Sequence, residues 1–202
     1  MTSVLPPSRR PAELRGHPAP RPSPRSGPPA SPTAFRTLMS AFPTGVAVVT
    51  TYGADGRPRG LTCSSLSSVA AEPPTLSVCL TTRGETLRAL RAHGSFAVNL
   101  LHHGGQRAAQ VFARPADNRF GQVAWRASPG AGLPWLVEDA FALAECTVSG
   151  LSEIADHTVV IGEVTGVAQE SGVPLLYGAR GFAAWPGGTV PGPLPAPEGV
   201  AS

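Results

Sequence analysis

Three short polar stretches hold the residues of this chain whose types and spacing could do chemistry. Thr62-Cys63-Ser64-Ser65 gathers three hydroxyls and a thiol between apolar runs. Small side chains there leave room for a flat ligand to reach the main chain, and the hydroxyl and N–H groups offer it donors without charge. That setting suits the polar edge of a heteroaromatic ring better than a metal or a nucleophile. No histidine or basic residue adjoins Cys63 to lower its pKa. Thr82-Arg83-Gly84-Glu85-Thr86 stands between a strand and a helix start. Exposed helix N–H groups, a guanidinium and hydroxyls make an anion site there. His157 opens a strand directly after Asp156. Each stretch also has a plainer reading: a polar strand end whose hydroxyls satisfy one another, an ordinary capped helix, and a structural or solvent-facing histidine. His93, His102 and His103 have no carboxylate or cysteine at ligand spacing, so no metal site is expected.

The elements that must position these residues are mostly strands. Val46, Val48 and Val49 precede the hydroxyl run, and Leu76, Val78 and Leu80 follow it, with the recurrence that β-strands require. Strands are expected at about 45–52, 59–66 and 75–81, the first two joined by a hairpin turn at Gly53-Ala54-Asp55-Gly56. Phe35, Leu38, Met39 and Phe42 recur as on an amphipathic helix over 33–42, capped by Ser31 or Thr33 and ended by Pro43. A helix over 85–92 stops at Gly94, a strand runs over 95–101, and a helix over 106–113 turns Ala109, Val111 and Phe112 inward. Strands at 141–152 and 157–168 form a hairpin, and a short strand lies near 173–177. A mainly β, antiparallel closed barrel with a few short peripheral helices is the fold class this implies.

Composition narrows the function classes. The chain has 202 residues, enough for one domain with tails. All 16 basic residues are arginine, and five of them fall in residues 1–34 against Glu13 alone, a balance of +4. The total is +3, so everything after residue 34 sums to −1 and carries no electrostatic footprint for nucleic acid. Residues 1–32 hold ten of the 23 prolines, and residues 186–202 hold five more, so both are expected as disordered tails around a domain at 33–185. Cys63, Cys79 and Cys146 form neither a CxxC pair nor a disulfide framework. Cys79 and Cys146 read as buried hydrophobes, and a cytoplasmic protein without a membrane helix or secretory signal is expected. No GxGxxG, P-loop, GxSxG or HExxH is present.

Several motifs, in order, resemble one family. They are Pro43-Thr44-Gly45-Val46-Ala47-Val48-Val49-Thr50-Thr51, Gly60-Leu61-Thr62-Cys63-Ser64-Ser65-Leu66 with Ser68-Val69 and Pro73-Pro74, and Phe96-Ala97-Val98-Asn99-Leu100-Leu101. Asn118-Arg119-Phe120, Asp156-His157-Thr158-Val159-Val160-Ile161-Gly162-Glu163-Val164 and Pro174-Leu175-Leu176-Tyr177 follow. Over roughly residues 34–185 the chain resembles the short-chain flavin reductases, the reductase components of two-component flavin-dependent monooxygenases.

The resemblance implies an FMN-binding split barrel working as a homodimer. It implies FMN or FAD as flavin, NADH or NADPH as co-substrate, and a flavin-dependent monooxygenase as partner. It places the isoalloxazine along Thr62, Cys63, Ser64, Ser65, Leu66, Ser68 and Val69. It gives the ribityl phosphate to Arg83, Glu85 and Thr86, with Glu85 alternatively orienting Arg83. His157 would position the nicotinamide, Tyr177 and Arg180 would approach it, and the Arg119-Phe120 loop would close over the adenine or phosphate part of the flavin. Two rivals remain open: a non-catalytic FMN-binding redox or storage module, and a split-barrel oxidase acting on a small amine.

Overall fold

The apolar run before the hydroxyl cluster is continuous rather than alternating, which marks a strand buried on both faces. The computed structural model describes residues 28–192. Helix α1 (Pro32–Ser40) leads into β1 (Thr44–Gly45) and β2 (Ala47–Tyr52). Then come β3 (Pro58–Cys63), β4 (Ser67–Ala71), β5 (Pro74–Thr81) and helix α2 (Glu85–His93). β6 (Ser95–Leu101), α3 (Gln106–Ala113), β7 (Arg126–Ala127) and β8 (Pro134–Trp135) follow. The long hairpin β9 (Ala140–Ile154) and β10 (His157–Gln169) precedes β11 (Leu175–Gly178) and β12 (Gly181–Ala184).

Seven strands pair antiparallel in the order β3-β2-β6-β9-β10-β5-β4. The two edges, β3 and β4, are neighbours in sequence, separated only by Ser64, Ser65 and Leu66. The sheet therefore curls back on itself and closes as a barrel split along one seam. Inside it lie Ala47, Val49, Cys63, Val78, Leu80, Phe96, Val98, Cys146 and Val160, with Leu87 and Leu90 of α2 packed on the same cluster. The alternate residues Val46, Val48, Ala97, Leu101 and Leu143 face outward, under Ala109 and Phe112 of α3 and under Leu133, Trp135 and Leu136. One glycine is required by this packing: a Cβ on Gly162 would lie 2.5 Å from the ring of Phe96.

A buried amide ties the outer layer down. Asn99 Nδ2 donates to the Val48 carbonyl at 3.2 Å, and its Oδ1 accepts from Leu136 N at 2.9 Å. Beside it, Thr50 Oγ1 donates to the Pro134 carbonyl at 2.6 Å.

The barrel agrees with the expected fold class, and the differences are local. The strand expected at 59–66 ends at Cys63, because Ser64–Leu66 forms the seam. β4 and β12 were not expected; Ser67-Ser68-Val69-Ala70-Ala71 and Gly181-Phe182-Ala183-Ala184 lack the apolar alternation and are fixed by strand pairing, with Phe182 alone packed against the outer core. The chain past residue 185, expected as tail, stays bonded through Gly192: Val190 bridges Gly172, and Gly192 N donates to Ser171 Oγ at 3.1 Å. The rest of the expected tails, 1–27 and 193–202, lies outside the described residues. Helix α1 forms but ends at Ser40 rather than at 42; Phe35, Leu38 and Met39 on it and Phe42 just past it are 58%, 67%, 45% and 62% exposed, so most of this apolar face is left uncovered by the described residues.

Candidate active site

The hydroxyls of the seam are largely spent on holding it together. Ser65 Oγ accepts from Cys79 N at 2.9 Å and donates to the Cys79 carbonyl at 3.1 Å, so one side chain replaces a rung of the ladder between 64–66 and β5. Thr62 Oγ1 donates to the Ala109 carbonyl of α3 at 2.6 Å. The Cys63 side chain points into the barrel core, and burial pushes its thiol pKa up, so only its main chain can face a ligand. Cys79, expected as buried, is half-buried on the outer face of β5.

What remains for a ligand is the backbone and Ser64. Among the described residues, the N–H groups of Ser64 and Leu66 donate to no acceptor, whereas that of Ser65 is turned to the Cys63 sulfur. Ser64 and Leu66 line a cavity of about 250 Å³ with Gly45, Ala47, Leu100 and Leu175. On β4 beyond the seam, Ser68 and the 55% exposed Val69 sit at a register shift in the pairing with β5. A row of uncharged donors beside an apolar hollow fits the polar edge and flat body of an isoalloxazine.

The second stretch caps the same end of β5. Thr82 N donates to the Asp156 carbonyl at 2.9 Å, and Thr82 Oγ1 lies 3.0 Å from Thr158 Oγ1, which locks the β5–α2 connection to the β9–β10 turn. Gly84 is the N-cap of α2 and brings no capping side chain. Thr82, Arg83, Gly84, Arg88 and Arg91 line an open depression of about 500 Å³. Arg91 is paired with Glu153 at 2.6 Å, whereas Arg83 is exposed. Thr86 is buried at 3% exposure, so its side chain is not presented to solvent. The orientation of Arg83 by Glu85 is corrected: Glu85 Oε1 pairs with Arg59 Nε at 2.6 Å, because β3 brings Arg59 alongside the first turn of α2.

His157 pairs across β5 with Thr81 and across β9 with Ile154, which sets it beside the Thr82–Arg83 connection. Its ring is half exposed, with Nδ1 2.8 Å from Asp156 Oδ1. That hydrogen bond holds the Asp156 carboxyl below its usual range. The arrangement engages one ring nitrogen and leaves Nε2 without a partner among the described residues.

Tyr177 and Arg180 belong to a different element, whose Leu175 lines the hollow together with Ser64 and whose Tyr177 pairs with Thr44. They lie on the β11–β12 hairpin, whose two turn residues Ala179 and Arg180 take φ of 48° and 63°. Tyr177 packs edge-on against Phe182, and Ala179 N donates to the Ser40 carbonyl at the end of α1. Arg119 and Phe120 act first as anchors. Arg119 Nη1 donates to the Gly60 carbonyl at 2.6 Å, and Phe120 stacks edge-on with both Phe112 and Trp125. Within one protomer the expected residues thus divide among the seam, the α2 start with His157, and the β11–β12 turn. Arg57 and Arg59 were missed; their signal was a pair of alternating arginines just before Gly60.

A family model described as a flavin reductase like domain matches residues 39–186. The chain belongs to the flavin reductase family. It is an oxidoreductase of the kind that uses NAD(P)H and FMN or FAD. The reductase is 53% identical over 150 residues to "Flavin reductase (NADPH)" of Lentzea aerocolonigenes, spanning 74% of this chain and 88% of that one. It is 46% identical over 154 residues to "Flavin reductase (NADH)" of Kitasatospora aureofaciens, spanning 75% and 81%. Among solved structures it resembles the NADH:FAD oxidoreductase of Streptomyces globisporus in complex with NAD and FAD fragments. That match has a TM-score of 0.70 and 33% identity, and covers 75% of this chain and 90% of that one. No helix among the described residues is long and apolar enough to cross a membrane.

Proposed function

We propose that this reductase takes hydride from NADH or NADPH onto a flavin held along the seam and passes the reduced flavin to a flavin-dependent monooxygenase. The observation that carries the reading is the pair of unpaired N–H groups at Ser64 and Leu66 beside an apolar hollow, in a chain of this family. A bound flavin would supply the hydride acceptor. The chain's own residues bind and orient. The N–H groups and Ser64 meet the polar edge of the ring, where donors favour the charge that reduction adds. Arg83 and the first turn of α2 take the phosphate. His157, steadied by Asp156, orients the nicotinamide, since hydride transfer needs no protein nucleophile.

A second copy of the chain belongs to this reading. A nine-residue helix such as α1 is too short to be stable alone, and among the described residues of its own protomer none of its side chains is buried. Its apolar face is continuous with the β11–β12 turn through the Ala179–Ser40 hydrogen bond. A homodimer that covers this face would also bring the Tyr177–Arg180 turn toward a neighbouring seam. The two buried, unpaired thiols suit a reducing, cytoplasmic setting.

Steady-state turnover with each pairing of FMN or FAD and NADH or NADPH, followed at the nicotinamide absorbance band, tests the reading. Turnover that requires added flavin and releases reduced flavin to solution supports it. Tight FMN binding with no nicotinamide oxidation would instead identify a storage or redox module.

A further inference from the structure

The tip of the β9–β10 hairpin, which carries His157, is weakly supported by the sheet. β6 pairs with β9 only as far as Ser95–Thr147, and the last main-chain bond on that side runs from Val148 N to the Gly94 carbonyl at 2.9 Å. β5 ends its pairing with β10 at Thr81–His157, after which Thr82 N holds the Asp156 carbonyl. Among the described residues, 149–154 therefore have β10 as their one neighbouring strand. The turn beyond them is strained as well: Ala155 takes φ of 55°, a left-handed conformation that a Cβ disfavours. Hairpin ends of this kind open locally far more easily than the paired sheet behind them. Hydride transfer needs the opposite, a donor and an acceptor held in near-attack geometry.

Arg91, in the last turn of α2, stands where the missing strand would be. Its Nη2 donates to Glu153 Oε1 at 2.6 Å and to Thr158 Oγ1 at 3.4 Å. Glu153 and Thr158 are partners in the β9–β10 register, on the rung next to the Ile154–His157 pair. One guanidinium thus spans both arms of the hairpin, one rung from His157. The Thr158 side chain is buried and its Oγ1 also lies 3.0 Å from Thr82 Oγ1, so the clamp is continuous with the β5–α2 connection. Among the described residues, the Arg91 contact is the only hydrogen bond that the side chains of 149–154 make outside the hairpin. Leu87 and Leu90 fix α2 on the barrel interior, which gives the clamp a rigid base. We propose that Arg91 is a positioning residue for nicotinamide oxidation: by holding the Glu153–Thr158 rung it sets the placement of His157, without itself meeting the reacting atoms. The inference rests on the reading of His157 given above.

The test uses the full chain and changes both ends of the clamp. The Arg91 and Glu153 side chains are 37% and 58% exposed, and exposed ion pairs contribute little to stability, so Arg91→Gln and Glu153→Gln should fold. The two variants change the local charge in opposite directions. A positioning role lowers kcat/KM for NADH or NADPH in both, by about 3- to 10-fold, with Tm nearly unmoved and the double variant no worse than either single one. Arg91→Lys, which restores a donor and a charge, recovers part of the loss. In the His157→Ala background neither variant has a further effect, whereas a purely structural clamp would lower activity in every background. Opposite signs for the two variants would make Arg91 a contact for an anionic ligand and overturn the proposal. Equal losses with and without His157, or no loss in either variant, would overturn it too. The His157 ring signals in a proton–nitrogen NMR spectrum give a second readout that needs no turnover. They shift in Arg91→Gln and Glu153→Gln and return toward their original positions in Arg91→Lys. Unmoved signals overturn the positioning role, whereas absence of turnover in the unmodified protein is the separate failure of the reductase reading.

Discussion

His157 is held by a hydrogen bond to its own sequence neighbour and its ring is half exposed, a geometry that leaves it free to meet a ligand rather than to anchor the fold. His157→Ala is expected to lower kcat/KM for the nicotinamide by about 10- to 100-fold, or roughly 1.4–2.7 kcal/mol, with flavin affinity nearly unchanged. Kinetics and a thermal melt on the same variant separate this from a structural role, which would lower Tm and leave kinetics intact. The thiols divide by the same logic of access. Burial beside Glu145 pushes Cys146 up to about 12, and burial also raises Cys63. Neither thiol ionises near neutral pH, so a thiol-disulfide reagent at pH 8 should leave both unmodified in the native protein and label both after unfolding. Fast native labelling at Cys63 would mean that its side chain faces the ligand groove after all.

At the scale of elements, the seam separates the hydroxyls that build the site from the one that faces it. Ser65→Ala removes both bonds to Cys79 and leaves its main-chain groups unpartnered. It should cost about 1–3 kcal/mol by chemical denaturation and weaken flavin binding as the edge loosens. Ser64 makes no side-chain bond among the described residues and lines the hollow, so Ser64→Trp should abolish flavin-dependent turnover while the denaturation midpoint stays close to that of the unmodified protein. Near-normal flavin affinity in that variant would move the ring away from the seam. α2 illustrates the coupling of element to site: Gly94 ends it with φ of 79°, Leu87 and Leu90 lock it onto the barrel interior, and its first turn is thereby fixed against β3.

For the whole molecule, the uncovered face of α1 has the largest consequence. Phe35, Leu38 and Met39 on α1, and Phe42 just past its end, are largely exposed, on a helix joined to the rest through the Ala179–Ser40 bond and the chain itself. Leu38→Asp is expected to convert a dimer into monomer by size-exclusion chromatography with light scattering, and to reduce turnover by at least about 10-fold if a partner turn completes the site. A monomeric unmodified protein with full activity would remove the second copy from the reading. The face is worth roughly 1.5–3 kcal/mol per large side chain covered, enough to hold a short helix that cannot hold itself.

The sequence by itself determined whatever depends on near neighbours. The recurrence of Val46, Val48 and Val49 marked a strand, Gly94 marked a helix end, and the two runs either side of 155 marked a long hairpin. It also located the hydroxyl run, the α2 start and His157, because small polar residues between apolar strands are visible as types. Tertiary structure alone decided which of those groups are free. Thr62 and Ser65 are satisfied by Ala109 and Cys79, 47 and 14 residues away, and Glu85 turns to Arg59, 26 residues away, rather than to Arg83 beside it. Closing the barrel brings the edges β3 and β4 together at the seam and sets Arg59 of β3 and Arg57 just before it around one cavity with Arg119, which no local pattern encodes. A residue's type and spacing fix what it can bond; the long-range pairing of strands fixes what is left for it to bond.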